Sequence, residues 1–98
     1  MVFRVVIFRE GDWWVAQCVD HDVAAQARSL RDLPLEFEAA LVADVTWHHR
    51  NGIDLLMNLV PAPEPLQRRW AEAVAEGYCR SISLKRVPEA EAELCVVG

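Results

Sequence analysis

Glycine is scarce in this chain: four in 98 residues, none of them grouped. A glycine-rich loop that cradles phosphates at a helix N-terminus is thereby excluded. Cysteine is nearly as sparse, and odd in number: Cys18, Cys79 and Cys95. No two form a CxxC pair, and His21, His48 and His49 do not stand at zinc-binding spacing from them, so three buried, reduced thiols are expected. Long apolar runs are missing too. None approaches the ~18 residues of a membrane span, and Arg4 and Arg9 bracket only Val5 to Phe8, short of a secretory signal core of about 7–15 residues. A cytoplasmic, non-membrane protein is the expectation.

What is present is a folding composition, 53% hydrophobic and 26% charged, in a chain long enough for one core. A single domain over 1–98 is expected. The net charge is −5, and DNA binding is not supported, because phosphate neutralisation needs clustered Lys and Arg. The first half carries most of the deficit, with five basic and eight acidic side chains in residues 1–50.

Residues 2–9, VFRVVIFR, are β-branched and aromatic, and Glu10-Gly11-Asp12 ends them with a tight-turn signal. WWVAQCV at 13–19 alternates, with Trp14, Ala16 and Cys18 facing one way and Trp13, Val15 and Gln17 the other. The two runs predict an antiparallel hairpin, followed by a short third strand over 23–27. Ser29-Leu30-Arg31-Asp32 has the form of a capping box. Leu33, Phe37, Ala40, Leu41, Val45 and His48 then recur at helical spacing, and Asn51-Gly52 stops them. A main helix over about 31–50 is predicted, with Glu36, Glu38 and Asp44 off its apolar stripe. PAPEP at 61–65 delivers a second helix over about 65–77, with Leu66, Trp70, Ala73 and Val74 on one side. Strand-like runs at 80–87 and 93–98 complete the chain. The fold class is α+β: a three-stranded antiparallel sheet on a main helix, a second helix and C-terminal strands.

Asp20-His21-Asp22 is the one cluster with the look of chemistry. Consecutive residues rarely converge on one ion, so the expectation is a solvated inter-strand loop with no metal and no catalytic role. His48 is expected on the apolar stripe and His49 at the favourable end of the helix dipole. Cys18 lacks an activating base. No nucleophile–base arrangement is visible, and no cofactor is expected.

The stretch FRVVIFREGDWWVAQCVDHDVAAQARSLRDLPLEFEAAL, residues 3–41, resembles the HicB-like antitoxin N-terminal domain. Gly11, Trp13-Trp14-Val15-Ala16, Asp20, Gln26 and Ser29-Leu30 stand where that family carries its turn, second strand, acidic loop, third strand and helix start. His21-Asp22-Val23 replaces the family's loop glycine, and residues 51–98 hold no recognisable DNA-binding segment. The resemblance covers about two-fifths of the chain. It implies a partial RNase H-like fold without catalytic carboxylates, a β-β-β-α core over 1–50 with an extension over 51–98, and a non-catalytic protein-binding role. The implied partner is a small basic ribonuclease toxin, which the domain would occlude.

The expected partner surface is acidic: Glu10, Asp12, Asp20 and Asp22. Both faces of the first strands carry apolar side chains (Phe3, Val6, Phe8, Trp13 and Trp14). Either a homo-oligomer covers the second face, or the Trp70 helix folds back over it. The rival functions are a metal-dependent RNase H-like hydrolase using Asp20, His21, Asp22 and Asp44, and a structural homo-oligomer with no toxin. The hydrolase is disfavoured because nothing in the pattern brings Asp44 to the loop.

Overall fold

A computed structural model describes residues 1–97. Strand β1 (Val2–Glu10) turns at Gly11, whose φ of +62° is the left-handed geometry a tight hairpin uses, into β2 (Trp13–Cys18). A loop leads to β3 (Ala24–Ala27), and helix α1 (Leu33–Arg50) follows. One 3-10 turn (Leu55–Met57) precedes helix α2 (Glu64–Glu76), and strands β4 (Cys79–Ser83) and β5 (Glu91–Val96) close the fold. Gly98, the last residue of the final expected strand, lies outside the described residues.

The sheet corrects the expectation of three antiparallel strands. It has five strands in the order β3-β2-β1-β5-β4 and is mixed: β1 pairs antiparallel with β2 but parallel with β5. The reason lies in β1. Val5 and Val6 point to opposite faces and both are 0% exposed, a burial that suits a central strand with a neighbour on each side and cover on each face. The chain's second half supplies that neighbour, so residues 51–98 are part of the sheet and not an appendage to it.

The two helices cover opposite faces. On one, Phe3, Val5 and Ile7 of β1 pack with Ala16, Cys18 and Leu94 against Leu33, Phe37 and Leu41 of α1. Those three helix residues are fully buried and fall at the i, i+4, i+8 spacing of a single stripe. On the other face, α2 lies over β1 and β5. Its Trp70 ring sits 5.9 Å from the Arg4 guanidinium, Arg69 stacks 4.4 Å over Phe8, and Ala73 is fully buried. Of the two ways to cover the second face, the chain uses its own helix. Val6 is sealed inside, Trp14 packs against the α1-side core, and Trp13 carries the Arg28 guanidinium 4.4 Å over its ring. An uncovered apolar face therefore no longer argues for a second copy.

The capping box expected at Ser29-Leu30-Arg31-Asp32 does not cap the helix: the N-cap of α1 is Asp32, with no side-chain bond to the helix. The Ser29 hydroxyl donates to the Asp32 carboxylate at 3.0 Å and accepts the Asp32 N–H at 3.3 Å. That turn precedes the helix, which starts at Leu33 with Pro34 in its first turn, where a missing N–H costs nothing. Gly77, at φ +79°, ends α2 in a left-handed cap. Glu38 departs from the expected pattern: it is 9% exposed, not solvated. Its carboxylate accepts the Lys85 N–H at 3.0 Å and the Arg86 Nε–H at 3.1 Å, tying α1 to the β4–β5 connection.

Candidate functional site

The Asp20-His21-Asp22 loop is not the solvated turn its composition suggests. Cys18 and Val23 close it through a backbone bond of 2.9 Å, which turns consecutive side chains to different tasks. Asp20 faces β1. One carboxylate oxygen accepts the Arg4 Nε–H and Nη2–H at 2.9 and 2.6 Å, and the other accepts the Arg4 backbone N–H at 2.8 Å. Hydrogen bonding to Asp20 pushes the Arg4 guanidinium pKa above even its ordinary value. Asp22 is exposed and accepts a long 3.5 Å bond from the Gln17 amide.

His21 turns inward and is 4% exposed. Its Nε2 lies 2.8 Å from Asp44 Oδ2, and its Nδ1 accepts the Val60 N–H at 2.9 Å. Asp44 does approach the loop, against expectation. It stands three residues after Leu41 and four before His48, so one helix face carries all three. That spacing was the available signal, obscured because a carboxylate does not read as part of an apolar stripe. His48 completes the group: its Nδ1 lies 3.5 Å from Asp44 Oδ2 and 2.8 Å from the Asp44 carbonyl, and its ring meets His21 edge-on at 5.7 Å. His49 is exposed.

Ligand atoms of His21, Asp44 and His48 lie within 4.8 Å of one another, so two imidazoles and a carboxylate are gathered in one place. Their protons argue against using them as a metal site or a catalytic dyad. A backbone N–H can only donate, so Val60 keeps Nδ1 of His21 unprotonated. The ring proton then sits on Nε2, where it meets Asp44. Nε2 is the atom a metal would need bare, and Nδ1 is the atom a general base would need free. Likewise, Nδ1 of His48 is a donor because a backbone carbonyl faces it. The three side chains act as a clamp: α1, the loop after β2 and the segment before α2 meet at His21. Asp20 and Asp22 take no part in it.

The cysteines correct a second expectation. Cys79 and Cys95, paired across β4 and β5, form a disulfide; only Cys18 is free, and it is buried. The spacing of 16 residues gave no hint, because the contact is made by strand register. Glu93 lies beside the pair, but sulfurs bonded to each other are not thiolate ligands. Burial pushes the Cys18 thiol pKa up, which keeps it protonated and poorly nucleophilic. Disulfides are rare in reducing compartments, so the cysteines no longer argue for the cytoplasm. Among the described residues, no helix is long and apolar enough to cross a membrane.

The four acidic residues expected to form one surface are split. Glu10 and Asp12 flank the hairpin turn, whereas Asp20 binds Arg4 near the opposite end of β1. Six residues of strand separate Arg4 from Glu10, roughly 20 Å at ~3.3 Å per residue. Comparison with family models, with characterised proteins and with solved structures gave no match.

Proposed function

We propose that this chain is a non-catalytic, HicB-like protein-binding domain with a partial RNase H-like core, an antitoxin or antitoxin relative that acts by occluding a small basic ribonuclease. The observation that carries the non-catalytic part is the hydrogen bonding of His21. Where His21, Asp44 and His48 gather, Val60 and Asp44 occupy both of the His21 ring nitrogens. The resemblance over residues 3–41 supports the partner class. So does the net charge of −5, since opposite charge accelerates encounter with a basic protein. With the acidic residues split between two ends of the sheet, the exposed Glu10 and Asp12 at the hairpin and the exposed Asp22 at the loop are separate contact points.

A metal-dependent hydrolase is the second reading, favoured only by the approach of Asp44 to His21 and His48. One experiment separates the two. Purified protein is incubated with single-stranded RNA and Mg²⁺ or Mn²⁺, alone and after co-expression with a small basic ribonuclease encoded beside it. The binding reading expects intact RNA from the protein alone and a salt-sensitive complex that silences the ribonuclease. Metal-dependent cleavage by the wild type that disappears in Asp44→Asn would install the hydrolase instead.

A further inference from the structure

Helix α1 packs over β3 and β2, and Leu84, Val87 and Ala90 of the β4–β5 connection join the same core. Beyond the helix's N-terminal turn the α1 side of β5 and β4 lies open as a groove of about 700 Å³, within the ~300–1,000 Å³ of small-molecule sites. Ile7, Leu94 and Val96 form its floor, since β1 and β5 pair Ile7 with Val96 on that face. Leu30 stands on one side and Tyr78 on the other, both substantially exposed, at 43% and 67%.

Two arginines line this groove: Arg31 from the turn before α1, and Arg80 from β4, where it pairs with Leu94. Of the nine arginines, six are engaged by the protein itself, and Arg50 is exposed at the end of α1. Arg4 and Arg86 hold carboxylates, Arg68 pairs with Glu64, and Arg9, Arg28 and Arg69 lie over aromatic rings. Arg31 and Arg80 make no such contact among the described residues. In a protein of net charge −5, these two arginines set positive charge beside an apolar cleft.

We propose that this groove is a binding site for a small amphipathic anion, a carboxylate carried on an aliphatic body, with the body on the Ile7–Leu94–Val96 floor and the head between Arg31 and Arg80. With Ile7 and Leu94 only 4% exposed, the exposed apolar walls, Leu30 and Tyr78, and the half-buried Val96 supply most of the affinity, because burial scales with the area removed from water. The arginines supply orientation and selectivity, since a guanidinium matches a carboxylate through paired N–H donors. Lysine at either position would be a poorer substitute for that geometry.

The test uses the full chain with decanoate, octanoate, decanol and decyltrimethylammonium, each below its micelle concentration, followed by titration calorimetry and amide NMR. Decanoate is expected to saturate at one site and to bind at least fivefold more tightly than octanoate. That is a conservative bound, since each fully buried methylene is worth about fourfold. It is also expected to exceed decanol and the cation by about tenfold, with shifts centred on residues 77–80 and 94–96. The Arg31→Gln/Arg80→Gln double variant should bind decanoate no better than decanol while leaving decanol affinity unchanged. Equal affinity for the acid, the alcohol and the cation would overturn the proposal. So would shifts centred on α2, or no saturable binding at millimolar decanoate.

Discussion

Glu38→Ala tests the packing logic at a position where pattern and structure disagree. As a charged residue beside an apolar stripe, Glu38 reads as solvent-facing, and its loss should then cost little. In the fold, it is 9% exposed and accepts from Lys85 N–H and Arg86 Nε–H. The Arg86 side chain is 55% exposed, so that ion pair contributes at most ~1 kcal/mol. The backbone bond is worth more: a hydrogen bond to a charged acceptor contributes about 1.5–3 kcal/mol, and its loss leaves the Lys85 amide without a protein partner. Together these give a destabilisation of about 2–4 kcal/mol for Glu38→Ala. Glu38→Gln keeps an acceptor oxygen for Lys85 and should cost roughly half as much. Glu72→Ala, on the exposed side of α2, should stay within about 0.5 kcal/mol. Urea denaturation followed by circular dichroism measures all three. Hydrogen exchange at the Lys85 amide supplies a local readout, with protection lost there in Glu38→Ala ahead of the amides of β5. Indistinguishable midpoints for Glu38→Ala and Glu72→Ala would refute the tether.

Phe37→Ala empties a fully buried aromatic position between α1 and the sheet and should cost about 3–5 kcal/mol; a midpoint shift no larger than that of Glu72→Ala would mean that the stripe is misplaced. Reducing Cys79–Cys95 opens a loop of 16 residues, for which loss of chain restriction predicts about 3 kcal/mol. Urea curves with and without a phosphine reductant should separate accordingly, and superimposed curves would show that the cross-link contributes nothing. Cys18 should resist iodoacetamide at pH 8 in native buffer and react in 6 M urea; rapid native alkylation would contradict its burial. The same raised thiol sets a sign for pH dependence. The folded state keeps the proton where the unfolded thiol releases it, so this contribution is full below about pH 8.5 and falls as pH rises beyond it. An alkaline limb that persists unchanged in Cys18→Ala must come from other groups.

Elements whose signals lie within a few residues are legible in the sequence alone. Gly11 with its flanking alternation specifies the β1–β2 hairpin, and Leu33, Phe37 and Leu41 phase α1 correctly. The Pro-rich connector and Gly77 bracket α2 to within a residue. These features depend on backbone sterics and on a periodicity read over one or two turns. The parallel pairing of β1 with β5, by contrast, joins Val2 to Glu91 and Ile7 to Val96, and no local pattern encodes which distant strand fills an open edge. The same holds for the side chains with chemical character. His21 meets Asp44 and Val60 across 23 and 39 residues, Glu38 meets Lys85 across 47, and Cys79 finds Cys95 through strand register. Residue types alone made the Asp20-His21-Asp22 loop look solvated and Glu38 look exposed. Only the tertiary fold could bury His21 and Glu38, because the free energy of placing a polar group inside depends on the partner waiting there, and those partners stand 23, 39 and 47 residues away in the sequence.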